Sequence, residues 1–472
     1  MLVILNKNSF KFSNIGVYSK QLLNFNPKKK RKTIKHPYDE PRILRILCQR
    51  PYFTGSGINL VNLTKKTEER GLDQCIIFGQ PIGESNPLAD IIDEKNVLSV
   101  KFLDKSYSKK ADIPFPIAGM SDQMPYESTK FSNFNETMLE TYLKAFAQKL
   151  KKAISYFKPN IIQSHHLWLI TSLCRVLYPK IPIIATCHNT GLRQMILASQ
   201  LSDFMINPIK GIDAIAVINE SQQRKVEKTY HFEISDKERN TFFYIGQGIN
   251  TNIFYPSTIS VTNHKSEESY SLIYVGKLNF SKGVPQLIKA FKQICQDEEI
   301  KCELFLAGSG KGKEKDEIYK LAKNEQNIHF LGQLEQEKLS NYFKKSDLFV
   351  LPSFYDGFPN VLLEALSCGC RAIITDLPGI KQTLEKTCGE SEVVKYLPLP
   401  KMESIDQPKK DELPEFIKNL KELIKEQIMI CKHEKKDLEY AKKVKTKFSW
   451  EALFNKYLDK YYELLSKNTA SS

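Results

Sequence analysis

The chain has no apolar run near the roughly 18–20 residues that would cross a bilayer, and its opening Met1-Leu2-Val3-Ile4-Leu5-Asn6 is too short for a secretory leader. A cytoplasmic protein is therefore expected. Its ten cysteines are scattered. Cys368 and Cys370 lack metal-ligand spacing and a second pair, which argues for buried free thiols over a disulfide scaffold or a zinc site. There is no Asp-x-Asp pair of the kind that holds a divalent ion, no internal repeat and no nucleic-acid recognition motif. Gly55 and Gly57 follow a strand, but Leu60 stands where a dinucleotide fingerprint needs its third glycine.

What is present is positive charge and alternation. The formal charge of +15 favours an anionic partner, with one dense run at Lys28-Lys29-Lys30-Arg31-Lys32. Nucleic acid, anionic lipid headgroups and a phosphorylated substrate all satisfy that charge, as does simple solubility. At 472 residues, two or three domains are expected. Residues 1–40 show little periodicity and read as a basic, flexible extension, able to touch an anionic membrane surface or to remain a solvated tail.

Strands such as Ile43–Leu47, Ile161–Ser164, Ile181–Thr186 and Ala214–Ile218 alternate with helical stripes, for example Leu139, Tyr142, Leu143, Phe146 and Leu150. That pattern predicts a doubly wound parallel sheet over 41–255. The irregular stretch from about 100 to 134 holds Asp122 and Tyr126 and reads either as a substrate-facing loop or as a wrap over the sheet. A polar linker is expected at 256–269. A second α/β domain follows over 270–447, and a closing helix and tail over 448–472 begin at Phe448-Ser449-Trp450.

The richest stretch lies in the second domain. Asp347–Pro352 reads as a buried strand, and Val361, Leu362, Ala365 and Leu366 form one stripe of a helix that Gly369 stops. Between them a polar loop turns at Gly357 and carries Asp356, and Glu364 sits two turns along the helix. A strand, a loop and a helix start form the usual ligand position above a parallel sheet. Glu364 in a mostly apolar helix is hard to explain structurally, because an unpaired buried carboxylate is costly. Lys282 before Gly283 admits an ordinary surface role, His188 a core role and Arg193 a surface ion pair. His165 and His166 read as structural.

Taken in order, five landmarks resemble the retaining GT-B glycosyltransferases of the large group 4 family that builds bacterial glycans. They are Gly55–Gly57, His188 after its strand, Gly248-Ile249-Asn250 with Phe254-Tyr255-Pro256, Gly276 with Lys282-Gly283, and Asp356 with seven intervening residues before Glu364. The resemblance covers roughly 43–466. It implies an α/β fold of two Rossmann-like domains facing across a cleft, with the last helix crossing back, and transfer of a hexose from a nucleotide-sugar (UDP-, GDP- or ADP-linked) to an acceptor hydroxyl.

By the same resemblance, Lys277 and Lys282 would hold the donor diphosphate and Glu364 the ribose. Asp356, Gly357, Phe358 and Asn360 would position the sugar, His188 would reach it, and Gly276, Gly308 and Leu331 would flank the nucleotide. Gly55, Gly57, Asp122, Tyr126 and Arg193 are candidates for acceptor or phosphate. No metal and no cofactor is implied, since two lysines can neutralise a diphosphate leaving group. The family usually has Arg at Lys277 and Glu at Asp356, and both differences change reach and geometry. A glycan, lipid-linked or small-molecule acceptor and a peripheral position at the inner membrane face fit this picture. The rival readings are a non-catalytic nucleotide-sugar binder and, further off, a nucleic-acid-binding protein or a dinucleotide oxidoreductase.

Overall fold

The structure is a computed structural model. It describes residues 16–27, 40–104, 110–121, 124–233, 241–256, 269–296, 300–434 and 436–470. The chain divides into two compact units: Met1–Ile245 with Phe454–Ser472, and Gly246–Leu453. The first boundary thus precedes the expected 255, and most of the expected linker lies outside the described residues.

In the first unit the strands are β1 (Ile43–Leu47), β2 (Gln74–Pro81), β3 (Val97–Phe102), β4 (Ala118–Gly119), β5 (Thr129–Lys130), β6 (Ile161–His165), β7 (Ile183–Thr186), β8 (Ala214–Val217) and β9 (Thr241–Tyr244). Seven of them form one sheet in the order β3-β2-β1-β6-β7-β8-β9, parallel at every pairing. β1, β6, β7 and β8 are buried along their whole length, as expected of a sheet covered on both faces. The helix Glu136–Phe157 begins at an Asn135 cap that accepts from the Met138 amide at 2.9 Å. It packs the predicted stripe of Leu139, Tyr142, Leu143, Phe146 and Leu150 into the core.

Two expectations change here. The N-terminal extension is not featureless, because Val17–Leu23 is a helix whose Leu22 is fully buried in the first unit's core. Glu140 holds the start of that helix by accepting from the Tyr18 amide at 3.0 Å and the Ser19 hydroxyl at 3.0 Å. The basic run that follows it lies outside the described residues. The stretch after β3 behaves mainly as a wrap, since Ile113, Ile117, Met120, Phe131 and Phe134 are all buried in the same core.

The second unit contains β10 (Ser269–Val275), β11 (Lys301–Ala307), β12 (Ile328–Gly332), β13 (Leu348–Leu351), β14 (Arg371–Thr375) and β15 (Val394–Leu397). Their order is β12-β11-β10-β13-β14-β15, again all parallel. Counted from the first strand this is 3-2-1-4-5-6, the doubly wound nucleotide-binding order, and it reverses direction between β10 and β13. All ten cysteines are free. No helix among the described residues is long and apolar enough to cross a membrane.

Candidate active site

The reversal in strand order places the loops after β10 and β13 side by side, and nearly all the predicted donor residues fall on these two loops or next to them. After β10, the Gly276 amide donates to Ala307 O at 3.0 Å, and the Gly308 amide donates to Gly332 O at 2.7 Å. The ends of β10, β11 and β12 are therefore tied to one another. Gly308 has φ +138, and a Cβ there would lie 1.8 Å from Gly276 O, so only glycine permits this approach. The Tyr274 hydroxyl donates to Lys277 O at 2.7 Å, fixing the backbone while the Lys277 side chain stays exposed. Leu331 is half-buried in β12.

The next turn carries Lys282. Asn279 caps it by accepting from the Lys282 amide at 3.2 Å, and Gly283 ends it at φ +68. A Cβ on Gly283 would stand 2.0 Å from Pro352 O, so this turn and the loop after β13 are in backbone contact. The Phe354 amide reinforces the contact by donating to Ser281 O at 2.9 Å. As a result Lys282 Nζ reaches Asp356 Oδ2 at 2.6 Å and Tyr355 O at 3.1 Å. Asp356 Oδ1 accepts from the Gly357 amide at 2.8 Å. The two groups that the sequence reading assigned to different parts of a ligand are thus bonded to each other.

The helix Asn360–Ser367 follows, with Glu364 on its inner side. Glu364 is 9% exposed, and its carboxylate has no hydrogen-bond or ion-pair partner among the described residues. Burial alone pushes it up to about 7. Two neighbouring atoms, Ser353 Oγ and Asn360 Oδ1, are buried without partners. Such atoms need a partner, and an external group approaching this loop and helix would supply one. Phe358 is buried, stacks on Phe448 with ring centroids 6.0 Å apart, and accepts through its carbonyl from Gln247 Nε2 at 3.3 Å. Ser353, Tyr274, Asn279 and Gln247 were missed in the sequence, where only Ser353 carried a signal, as a polar residue following a buried strand.

In the first unit, His188 stands at the start of the helix Asn189–Leu197, and its side chain makes no capping bond there. His165 and His166, read from the sequence as structural, are its neighbours. His165 Nδ1 lies 3.2 Å from His188 Nε2, and the rings of His166 and His188 are 4.7 Å apart between centroids. His165 and His166 are both fully enclosed, and each Nε2 lacks a partner. His166 adopts φ +68, a strained conformation for a residue other than glycine. Burial lowers all three imidazoles, His188 to about 4, so the cluster is neutral near pH 7.

The remaining acceptor candidates divide. Gly55 and Gly57 do not form a loop but open the helix Gly55–Glu69, capped by Thr54. A Cβ on Gly57 would meet Arg50 O at 2.8 Å, whereas Gly55 faces open space. Tyr126 packs edge-on against Phe53 at 5.6 Å, and the Arg50 guanidinium lies 4.0 Å from the Phe53 ring centre. Arg193 is exposed. Asp122 lies outside the described residues. Among the described residues, no three His, Cys, Asp or Glu side chains are grouped to hold a metal ion.

Two all-parallel units, the second wound in the order 3-2-1-4-5-6, define an α/β fold of the GT-B type. Residues 257–389 match the family "Glycosyl transferases group 1". An uncharacterised glycosyltransferase of Methanocaldococcus jannaschii is 29% identical over 25% of this chain, which spans 30% of that relative. The N-acetyl-alpha-D-glucosaminyl L-malate synthase of Bacillus anthracis is 22% identical, over 58% of this chain and 71% of its own length. The sucrose-phosphate synthase of Thermosynechococcus elongatus has a similar fold, with a TM-score of 0.60 at 17% identity, covering 91% of this chain and all of that one.

Proposed function

We propose that this protein is a glycosyltransferase that moves a hexosyl group from a nucleotide-sugar to an acceptor hydroxyl with retention of configuration and without a metal ion. The observation that carries the reading is Glu364: a buried carboxylate without a partner, on the helix after β13, at the switch point of a nucleotide-type sheet. A pair of ribose hydroxyls would supply the missing donors, and desolvation would make those bonds strong. In the same reading Gly276, Gly308 and Leu331 flank the nucleotide, and Asp356, Gly357, Phe358 and Asn360 meet the sugar. Lys277 and Lys282 face the diphosphate, where negative charge grows as the glycosidic bond breaks. The resemblance assigns His188 to the transferred sugar, and a neutral imidazole can either accept or donate there. Glycan, lipid-linked and small-molecule acceptors all fit this chemistry.

A thermal-shift panel of UDP, GDP, ADP and their sugars tests the reading directly. One nucleotide should stabilise the chain, by about 2.7 kcal/mol at a hundred times its Kd, and Glu364→Ala should remove most of that effect. No shift with any nucleotide would defeat the proposal. A second reading, a nucleotide-sugar binder without turnover, is favoured by the Lys282–Asp356 pair, which occupies the cation in the free chain. Tight nucleotide binding with no transfer across an acceptor panel would select it.

A further inference from the structure

A cavity of about 920 Å³ opens in the second unit on the other side of the Lys282 turn. One wall is the turn itself, Asn279–Ser281, together with Phe354. The facing wall is a short hairpin in which Met402 and Pro408 pair antiparallel and the Lys409 amide donates to Lys401 O at 2.9 Å. None of Lys277, Asp356 and Glu364 lines it.

Its chemistry differs from that of the chain as a whole. The protein carries +15, yet the cavity sets four lysines (289, 292, 320 and 410) against four carboxylates, those of Glu314, Glu317, Glu403 and Asp406. A balanced lining does not concentrate anions, which argues against a phosphate or a polynucleotide as occupant. Two of these charges are already engaged: Lys292 with Glu325 at 2.9 Å, and Glu314 with the Phe280 amide at 3.1 Å. Gln286, also in the lining, is 7% exposed, and its Oε1 has no hydrogen-bond partner. Phe280, Pro285 and Pro408 add flat apolar faces, and Phe280 is 38% exposed.

We propose that this cavity is a carbohydrate-binding site, separate from the crevice above β10 and β13, that takes a neutral oligosaccharide. Carboxylates and amide oxygens accept from sugar hydroxyls, lysines donate to hydroxyl and ring oxygens, and the flat apolar faces cover the C–H side of a ring. The volume lies at the upper end of the roughly 300–1,000 Å³ found for small-molecule sites and has room for more than one ring. The occupant bears on the turn that carries Lys282 and, through the Phe354–Ser281 hydrogen bond, on the loop that carries Asp356. The inference rests on the proposed glycosyltransferase class and not on the roles given to Glu364 and Lys282.

The test is calorimetric titration of the full chain with a panel of neutral trisaccharides of hexoses, N-acetylhexosamines and pentoses. At least one should bind saturably, and saturating UDP should not displace it. The double variant Asp406→Ala/Gln407→Ala, both exposed on the hairpin tip, should weaken it at least tenfold, whereas Lys323→Glu, exposed but outside the lining, should leave it unchanged. Lack of saturable binding by every member, displacement by UDP, or preference for a sulfated analogue that vanishes with salt would each overturn the proposal. Failure here leaves the nucleotide thermal shift intact, and failure of that shift leaves the trisaccharide result readable.

Discussion

Glu364 shows how a single residue can tie stability to ligand binding. Its folded-state pKa, about 7, stands above the 4.5 of an unfolded glutamate. Between those values the native state holds a proton that the unfolded chain has lost, so this group's contribution to stability declines as pH rises from about 4.5 to 7 and is level above that. The shift corresponds to about 3 kcal/mol. Glu364→Gln removes the titration, and denaturant unfolding at pH 5 and pH 8 should show the wild type losing roughly that much more than the variant. Equal pH dependence in the two proteins would mean that the carboxylate is solvated after all. Asp356 makes a different prediction. Its ion pair with Lys282 is partly exposed and worth about 0.2–1 kcal/mol. Asp356→Asn should therefore free the lysine and tighten UDP binding by a factor of up to about five. The same substitution should depress transfer, and a calorimetric Kd alongside kcat separates the two effects.

At the scale of elements, backbone contact does much of the positioning. Gly283 and Gly312 both have φ near +67, at +68 and +66, but a Cβ on Gly312 meets open space and one on Gly283 meets Pro352 O. Gly312→Ala should cost only the left-handed penalty of about 1–2 kcal/mol. Gly283→Ala should cost clearly more and displace Lys282, which thermal unfolding and nucleotide affinity would report together. The alternation of strand and helix, the buried strand before Pro352 and the Glu364 helix were legible because period and composition are local signals. The Val17–Leu23 helix was not, since one fully buried leucine and a cap from distant Glu140 hold it. The Lys282–Asp356 bond and the His165–His188 pair join residues far apart in sequence, and only strand order brings them together.

At the scale of the molecule the two units differ in how the chain builds them. The second is one continuous segment, Gly246–Leu453, whereas the first leaves at Ile245 and is completed only by Phe454–Ser472. That return is structural. Arg45 is fully buried in the middle of β1, and its partners are the side-chain oxygens of Gln74 and Gln163 and the Tyr461 hydroxyl, with no carboxylate among them. Tyr461 also donates to Gln163 Oε1, and Tyr457 shares a 2.7 Å hydrogen bond with Thr186 at the end of β7. A buried guanidinium held only by neutral groups tolerates the loss of any one of them poorly. Tyr461→Phe should therefore destabilise the first unit by about 1–3 kcal/mol. A chain ending at residue 453 should lose that unit's cooperative unfolding altogether, because Arg45, Gln163 and Thr186 all lose partners at once. The second unit, complete in itself, should keep its own transition in the shortened chain and still shift when nucleotide is added. Calorimetry of the truncated protein with and without UDP distinguishes this outcome from one in which both transitions vanish, which would mean that the second unit also needs the last helix in order to fold.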